Sequence, residues 1–261
     1  MKPLEIPTRS CARIARSIAV IGWGAFKIGR NEGVKYPHAY DLPSEAESIA
    51  LVRNIIALGI HTIDTAPAYG LSEERLGHAL AGLDATTRAK IFLSTKAGEE
   101  FSQGRSHFDF SRAAISASVA RSLVRLQCKA IDLVWVHSSG SDLEILRDGG
   151  ALDALEACKS AGSVGAIGFS PKSLEGAHVA LRDPRVDALM VEFHPQSQEM
   201  APALERAHEM GKAIFIKKPL ASGTLDPSHA IPWILRNSAV TSVIVGGLSL
   251  ERLHANASLA R

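Results

Sequence analysis

Eight short apolar runs alternate along this chain of 261 residues with segments whose apolar residues recur at helical spacing. This alternation is typical of a parallel sheet whose strands are joined by helices. The runs are almost continuously hydrophobic, as expected of strands covered on both faces. The predicted strands are Ser17–Gly24, His61–Thr65, Lys90–Lys96, Ile131–His137, Val164–Ser170, Ala188–His194, Ala213–Lys217 and Ser242–Gly246. Eight such units predict an α/β fold, a single (β/α)8 TIM barrel over residues 1–261; an open doubly wound sheet is the second interpretation.

The predicted helices carry recognisable start and stop signals. Ser44 opens a capping box before one apolar stripe, and Ser111 is placed as the N-cap of another. Gly59, Gly162 and Gly211 each follow a helical stretch directly before a predicted strand. Glycine is favoured there because it adopts the left-handed conformation that ends many helices.

Composition excludes several classes of function. The formal charge is only +2, so we expect no nucleic-acid partner. No apolar run approaches the roughly 18 residues that cross a membrane, so we expect no membrane partner. The cysteines, Cys11, Cys128 and Cys158, lack paired or metal spacing and indicate reduced thiols of a cytoplasmic protein. The basic residues before Ile18 faintly resemble a targeting segment, but we favour a short arm leading into the first strand.

Four polar residues lie at or just past the ends of three successive predicted strands. They are Asp64 and Tyr69, then Lys96, then His137. In a parallel barrel these ends converge on the face that carries catalysis. Each residue alone has an ordinary structural explanation, such as a loop cap or a packed aromatic ring. Together, an acid, a phenol, an amine and an imidazole predict a proton-transfer site.

The residue types suggest a role for each of the four. Tyr69 is the predicted proton donor, and the ammonium of Lys96 is expected to lower its pKa by stabilising the phenolate. Asp64 is expected to pair with Lys96, because a lysine is costly to bury alone. His137 is expected to donate a hydrogen bond to a substrate carbonyl. Phe26, Tyr69 and His137 are the predicted substrate contacts.

The motif Asp64-Thr65-Ala66-Pro67-Ala68-Tyr69-Gly70-Leu71-Ser72-Glu73 is similar to the most specific signature of the aldo-keto reductases. The chain resembles this superfamily from Gly22 onward, as a short member without the long C-terminal tail. Lys96 and His137 fall where the rest of its catalytic tetrad lies. The resemblance implies reversible hydride transfer between a nicotinamide and a carbonyl, with Tyr69 as general acid. It also implies a cofactor extended across the barrel mouth.

The candidate cofactor site follows from the resemblance and from the loops after the last strands. Gly22-Trp23-Gly24-Ala25-Phe26-Lys27 begins like a Rossmann fingerprint but lacks its third glycine. Gly246 and Gly247 lead into a helix whose N-terminus suits a phosphate. The candidate cofactor residues are Gly24, Ala25, Asp64, Ser170, Lys217, Lys218, Leu220, Gly246, Gly247, Arg252 and Asn256.

Some of these positions depart from the better-known members. Pro171 and Met190 replace amide side chains around the carboxamide site of Ser170, and Lys217 replaces an aromatic residue that stacks on the nicotinamide. Lys217 and Lys218 either face the pyrophosphate as point charges or form a basic loop in water. Arg252 is left to select the 2′-phosphate, so NADPH is the predicted cofactor, with NADH possible.

The substrate pocket is expected to be open, because the sequence ends soon after Asn256. Its predicted walls are Phe26 and the loops after the first, third and fourth strands. Candidates in those loops are Lys27, Phe101, His107 and Phe108. Which carbonyl is the physiological substrate, which reaction direction is preferred and what the oligomeric state is all stay open.

The sequence is compatible with three functions to different degrees. The leading one is an NADP(H)-dependent oxidoreductase that reduces aldehydes or ketones to alcohols, with a small-molecule carbonyl as its partner. The second is a cofactor-binding regulatory or sensor subunit with little turnover, a role that the resemblance also allows; its partner proteins are unknown. The third, a metal-dependent hydrolase, is weak because Glu192 and His194 are the only nearby ligand pair. No metal is predicted.

Overall fold

The computed structural model describes residues 1–34 and 39–260. Its centre is a closed barrel of eight parallel strands, in which neighbours along the chain are also neighbours in space. The barrel strands are β3 (Ile21–Gly24), β4 (Thr62–Asp64), β5 (Phe92–Ala97), β8 (Ile131–His137), β9 (Val164–Ser170), β10 (Ala188–Glu192), β11 (Ala213–Lys217) and β12 (Ser242–Gly246). The predicted (β/α)8 barrel is confirmed, and the open sheet is excluded because β12 pairs with β3.

Helices connect the strands on the outside of the barrel. They are α1 (Glu45–Ala57), α2 (Ser72–Ala81), α3 (Ala85–Lys90), α4 (Arg112–Arg125), α5 (Asp142–Asp148), α6 (Gly150–Ser160), α7 (Leu174–Arg182), α8 (Ala201–Glu209), α9 (Pro227–Leu235) and α10 (Leu250–Ala257). Short 3-10 turns span Ala25–Ile28, Pro67–Tyr69 and Ala221–Gly223. Ser44 forms the predicted capping box, and Ser111 caps α4. Gly59, Gly162 and Gly211 have φ of +96°, +78° and +64°, as their placement predicted. No helix within the described ranges is long and apolar enough to cross a membrane.

The N-terminal arm has more structure than expected. Strands β1 (Thr8–Cys11) and β2 (Ile14–Ala19) form an antiparallel hairpin, and the barrel strand begins only at Ile21. The predicted single strand Ser17–Gly24 is therefore wrong in its first half. Ile18 is fully buried where the hairpin covers the amino-terminal end of the barrel. One unbroken apolar run thus serves two elements, because its first half plugs the barrel and its second half forms a barrel strand.

Aromatic rings fill the interior above this plug. The ring centroid of Phe215 lies 5.1 Å from that of Trp135 and 6.0 Å from that of Phe92. Gly168 on β9 makes the room, since a Cβ there would lie 2.1 Å from Cε3 of Trp135. With its interior packed in this way, the barrel is expected to bind a ligand at its carboxyl-end mouth.

A second hairpin projects from the carboxyl end of β5. Strands β6 (Glu99–Ser102) and β7 (Arg105–Phe108) pair in antiparallel fashion between β5 and α4. Gln103 and Gly104 both have positive φ, as a two-residue hairpin turn of type I′ requires. The sequence predicts a loop over these residues, and that prediction is wrong: β7 is exposed throughout, so no buried face imposes an alternating apolar pattern on it.

Candidate active site

The buried ion pair between Lys96 and Asp64 lies at the centre of the mouth. Nζ of Lys96 donates to Oδ2 of Asp64 at 2.5 Å and to the carbonyl of Thr65 at 2.8 Å. Ser94 Oγ donates to the other carboxylate oxygen at 2.7 Å. The two charged side chains are only 2% and 4% exposed, so water hardly screens their attraction. The predicted pairing of Asp64 with Lys96 is present.

Tyr69 lies over this pair. Nζ of Lys96 lies 4.7 Å from the centroid of the phenol ring, and Phe26 packs edge-on against the ring at 4.8 Å. Burial raises the pKa of Tyr69 above its ordinary value, while the ammonium of Lys96 acts in the opposite direction. Lys96 therefore acts with the predicted sign, but the expected net lowering of the tyrosine pKa is wrong because burial outweighs the charge.

The Asp64–Glu73 motif explains how Tyr69 is held. Gly70 has φ +59°, and a Cβ there would lie 2.4 Å from the carbonyl oxygen of Gly29, so only glycine suits this turn. Ser72, at the start of α2, donates to the carbonyl of Ala25 at 2.9 Å. Glu73 is fully buried and accepts from Thr95 Oγ1 at 2.7 Å. The residues after Tyr69 thus anchor its turn to β5 and to the segment after β3.

His137 reaches the same mouth from the end of β8 and contacts a carboxylate that sequence reasoning missed. Its Nδ1 lies 2.8 Å from Oε2 of Glu99, an ion-pair contact whose angle falls short of a well-formed hydrogen bond. Ser106 Oγ donates to the other oxygen of Glu99 at 2.6 Å. Burial acts to raise the pKa of Glu99, yet His137 and Ser106 hold it at about 2. Burial lowers the pKa of His137, and Glu99 opposes that change.

The signal for Glu99 was present in the sequence. It follows Lys96 by three positions, directly after an apolar strand, where a carboxylate on a barrel loop faces the mouth. What the sequence did not supply was the β6–β7 hairpin that turns Glu99 toward His137.

These side chains border a cavity of about 850 Å³ at the carboxyl end of the barrel. Ten of the predicted site residues line it: Gly24, Phe26, Asp64, Tyr69, Lys96, His137, Lys217, Lys218, Leu220 and Gly246. The predicted residues Ala25, Ser170, Gly247, Arg252 and Asn256 do not line it. Ala25 is buried, and the carbonyl of Gly247 accepts from Trp23 Nε1 at 3.0 Å.

The two adjacent lysines after β11 differ in environment. Lys217 is half-buried, and its Nζ donates to Ser170 Oγ at 2.9 Å and to the carbonyl of Pro171 at 3.3 Å. Burial lowers the pKa of Lys217 to about 8, with the neighbouring lysines acting in the same direction. Lys218 is exposed, and its Nζ donates to Glu192 at 2.9 Å. A solvated basic loop therefore describes Lys218 but not Lys217.

Lys27, which lines the cavity, and Arg252 form a second pair of cations that act on each other. Burial lowers the pKa of Lys27, and the charge of Arg252 acts in the same direction. Arg252 lies in the first turn of α10, where its backbone N–H donates to the N-cap Ser249 at 3.3 Å. Asn256 follows one turn later and is 8% exposed. A multiply charged anion would relieve the repulsion between Lys27 and Arg252.

The predicted walls of the substrate pocket are partly wrong. Lys27 lines the cavity, but Phe101, His107 and Phe108 do not. The hairpin contributes Glu99 and Ser106 instead. Phe101 and Phe108 instead contact two cations that line the cavity. The guanidinium of Arg30 lies 3.3 Å from the centroid of the Phe101 ring, and Nζ of Lys172 lies 5.7 Å from the centroid of the Phe108 ring. The loop after β3 includes residues 35–38, which lie outside the described residues, so the expected openness of the pocket stays a prediction.

No group of three or more His, Cys, Asp or Glu side chains suited to a metal occurs in residues 1–34 and 39–260. Nε2 of His194 lies 3.3 Å from Oε1 of Glu192, so these two potential ligands contact each other. Glu192 also accepts from Lys218, so it is already neutralised by a cation.

Comparison with known proteins identifies the family. The model of the aldo/keto reductase family matches residues 20–230, from the start of the barrel to α9. The chain belongs to the aldo/keto reductase family. A solved structure of a candidate aldo-keto reductase from Pseudomonas aeruginosa is 38% identical, with a TM-score of 0.87 over 99% of this chain and 96% of that chain.

Two curated relatives of this aldo-keto reductase are sugar dehydrogenases. The L-galactose dehydrogenase of Arabidopsis thaliana is 29% identical over 238 residues, which cover 88% of this chain and 70% of the relative. The D-threo-aldose 1-dehydrogenase of a Pseudomonas species is 27% identical over 317 aligned positions, which cover 97% of this chain and 92% of the relative. The protein is an enzyme of carbonyl oxidoreduction from a family that uses nicotinamide cofactors.

Proposed function

We propose that this aldo-keto reductase is an NADP(H)-dependent oxidoreductase that interconverts aldehydes or ketones and alcohols, with Tyr69 as the proton donor. One observation carries the proposal. Tyr69 lies over the buried Lys96–Asp64 ion pair, in a cavity that His137 also lines. A phenol beside a fixed buried cation is equipped to give a proton and to remain briefly as phenolate.

The electrostatics of the free site suit an acid. Because burial raises the pKa of Tyr69, the phenol is protonated at neutral pH and ready to donate. When a carbonyl oxygen becomes negative, the proton passes from Tyr69 Oη to that oxygen. The ammonium of Lys96 then stabilises the phenolate, and Asp64 keeps Lys96 charged. Burial alone would lower the pKa of Lys96, but Asp64 and Tyr69 together raise it.

His137 is proposed to orient the carbonyl through Nε2. The carboxylate of Glu99 faces Nδ1 and therefore favours a proton there. Nε2 then donates a hydrogen bond only when the imidazole carries a second proton. Glu99 thus supports the imidazolium form, against the burial that disfavours it.

The residues along the cavity fit a nicotinamide dinucleotide phosphate. Gly24 and Gly246 are register partners on neighbouring strands and leave the rim free of side chains. Lys217 places a cation in the mouth, while Lys27 and Arg252 form a cationic pair suited to a phosphate. These residues, with Leu220 and Asn256, are proposed to hold the cofactor, which supplies or accepts the hydride when bound.

Sugars are proposed as the first substrates to test. The two relatives described above are named for galactose and aldose oxidation. The cavity here carries Glu99, Ser106, Glu192 and Glu199 among its lining residues, all of which can hydrogen-bond to hydroxyl groups. A cytosolic location is also proposed, and the free state of all three cysteines supports it.

The test is steady-state turnover by the purified protein in both directions. NADPH and NADH are each supplied with a panel of aldehydes and ketones, and NADP+ and NAD+ with a panel of aldoses. Turnover with a preference for the phosphorylated cofactor would support the proposal. Tight binding of NADPH without turnover of any substrate would contradict it and favour the regulatory subunit.

A further inference from the structure

Lys217 carries a positive charge that none of the described residues neutralises in an ion pair. Its Nζ donates to two neutral oxygens, those of Ser170 and Pro171, at 2.9 and 3.3 Å. Among the residues that the structure describes, no carboxylate forms an ion pair with it. The side chain nonetheless lines the cavity and is desolvated enough to lower its pKa to about 8. A desolvated cation without a counter-ion acts strongly on any charge placed beside it.

Three other lysines that line the cavity differ in this respect. Lys96 is paired with Asp64, and Lys218 is paired with Glu192. Lys172 donates to the carbonyl of Ser139 at 3.0 Å in an exposed position, where water screens its charge. Of these four lysines, Lys217 therefore exerts the strongest electrostatic effect on a ligand in the mouth.

The nicotinamide ring must lie in this mouth if the proposed function holds. Hydride and proton reach adjacent atoms of one carbonyl group, so the ring has to approach the substrate beside Tyr69. Lys217 lines the same cavity and is close enough to Lys96 for the two charges to repel. The oxidised ring carries a positive charge, whereas the reduced ring is neutral. Lys217 therefore meets two forms of one ligand that differ by a unit charge at the ring.

We propose that the ammonium of Lys217 makes this site discriminate between the redox states of its cofactor, binding NADPH more tightly than NADP+. This inference rests on the proposed function, because it requires the nicotinamide to occupy the mouth. A unit charge acting in a partly desolvated site is expected to separate the two affinities by roughly tenfold or more. Tighter binding of the reduced form also shifts the equilibrium on the enzyme toward carbonyl and NADPH, without changing the equilibrium in solution.

The charge of Lys217 is set by groups on several elements. Lys218 beside it, Lys96 on β5 and Lys172 after β9 disfavour its charged form, while Glu192 on β10 favours it. Since its pKa is about 8, the amine is mostly charged at neutral pH and loses its proton as the pH rises through that value. The discrimination should therefore weaken on the alkaline side.

The test measures dissociation constants rather than turnover. NADPH and NADP+ are titrated separately into the wild type, Lys217→Met and Lys218→Met, by calorimetry or by quenching of tryptophan fluorescence. Lys217→Met should lower the ratio of the NADP+ constant to the NADPH constant by roughly tenfold. Lys218→Met removes the neighbouring charge, which is exposed and paired with Glu192, so its ratio should stay near that of the wild type.

Other outcomes would overturn the proposal. If Lys217→Met lowered the affinities for NADPH and NADP+ equally, the lysine would bind a part that the two nucleotides share, such as the pyrophosphate or the carboxamide. Unchanged affinities would place Lys217 away from the cofactor. The wild-type ratio, followed as the pH rises through about 8, gives a second measurement that needs no variant; a constant ratio would also contradict the proposal. Failure of the wild type to bind either nucleotide would instead contradict the proposed function itself.

Discussion

Substitutions in the Lys96–Asp64 pair can separate its contribution to turnover from its effect on the stability of the fold. We expect Lys96→Met to abolish turnover and also to destabilise the protein, because it leaves the carboxylate of Asp64 buried without its cation. The variant Asp64→Asn/Lys96→Met should recover most of the lost stability while staying inactive, because it buries no charge.

The magnitude follows from the burial of the pair. Its side chains are 2% and 4% exposed, and removing one partner of such a pair typically costs about 3–5 kcal/mol. Ser94 Oγ still donates to Asp64 at 2.7 Å, so the lower end, about 3 kcal/mol, is expected. For a chain of this size that corresponds to a fall in Tm of roughly 6–12 °C.

The assay is urea unfolding followed by tryptophan fluorescence, with Tm measured in parallel. The double variant should lie within about 1 kcal/mol of the wild type, since a neutral buried pair carries little desolvation cost. A loss below about 1 kcal/mol for Lys96→Met alone would refute the reasoning, because only a solvated pair is worth so little. Recovery of turnover in the double variant would refute the catalytic role of the pair.

Two further variants test individual residues of the site. Glu99→Gln removes the charge that favours the imidazolium of His137, so the loss of kcat/KM that accompanies deprotonation of His137 should move to lower pH. Glu100→Gln is its control, because Glu100 contacts Arg121 on the other face of the hairpin; an unchanged profile for Glu99→Gln would contradict the role of Glu99. Arg252→Ala should weaken NADPH roughly tenfold or more while leaving NADH nearly unchanged, measured as dissociation constants. Equal losses for both cofactors would place Arg252 away from the 2′-phosphate.

The barrel and the four catalytic candidates were predictable for the same physical reason. A strand buried on both faces leaves a continuous apolar run, and a polar residue at its end stands out against that run. Asp64, Lys96 and His137 each end such a run, so their convergence followed once the strands were assigned to one parallel barrel. Local patterns were sufficient because the barrel itself supplies the long-range geometry.

What could not be predicted depends on contacts between distant segments. Ile18 and Ile21 lie in one apolar run, and hydrophobicity alone does not show that Ile18 plugs the barrel while Ile21 lies in its wall. Lys217 reaches Ser170, 47 positions earlier in the chain and two strands away around the barrel. The pKa of Tyr69 also escaped prediction, because a sequence shows that an ammonium is near but not how much water the fold removes.

The most direct measurement of the proposed chemistry is kcat of Tyr69→Phe at saturating NADPH and carbonyl substrate, with the dissociation constant of NADPH measured beside it. The substitution removes one hydroxyl and keeps the ring that packs against Phe26. We expect kcat to fall by about a hundredfold or more while the affinity for NADPH stays near that of the wild type. A variant that retains most of its kcat would show that Tyr69 is not the acid.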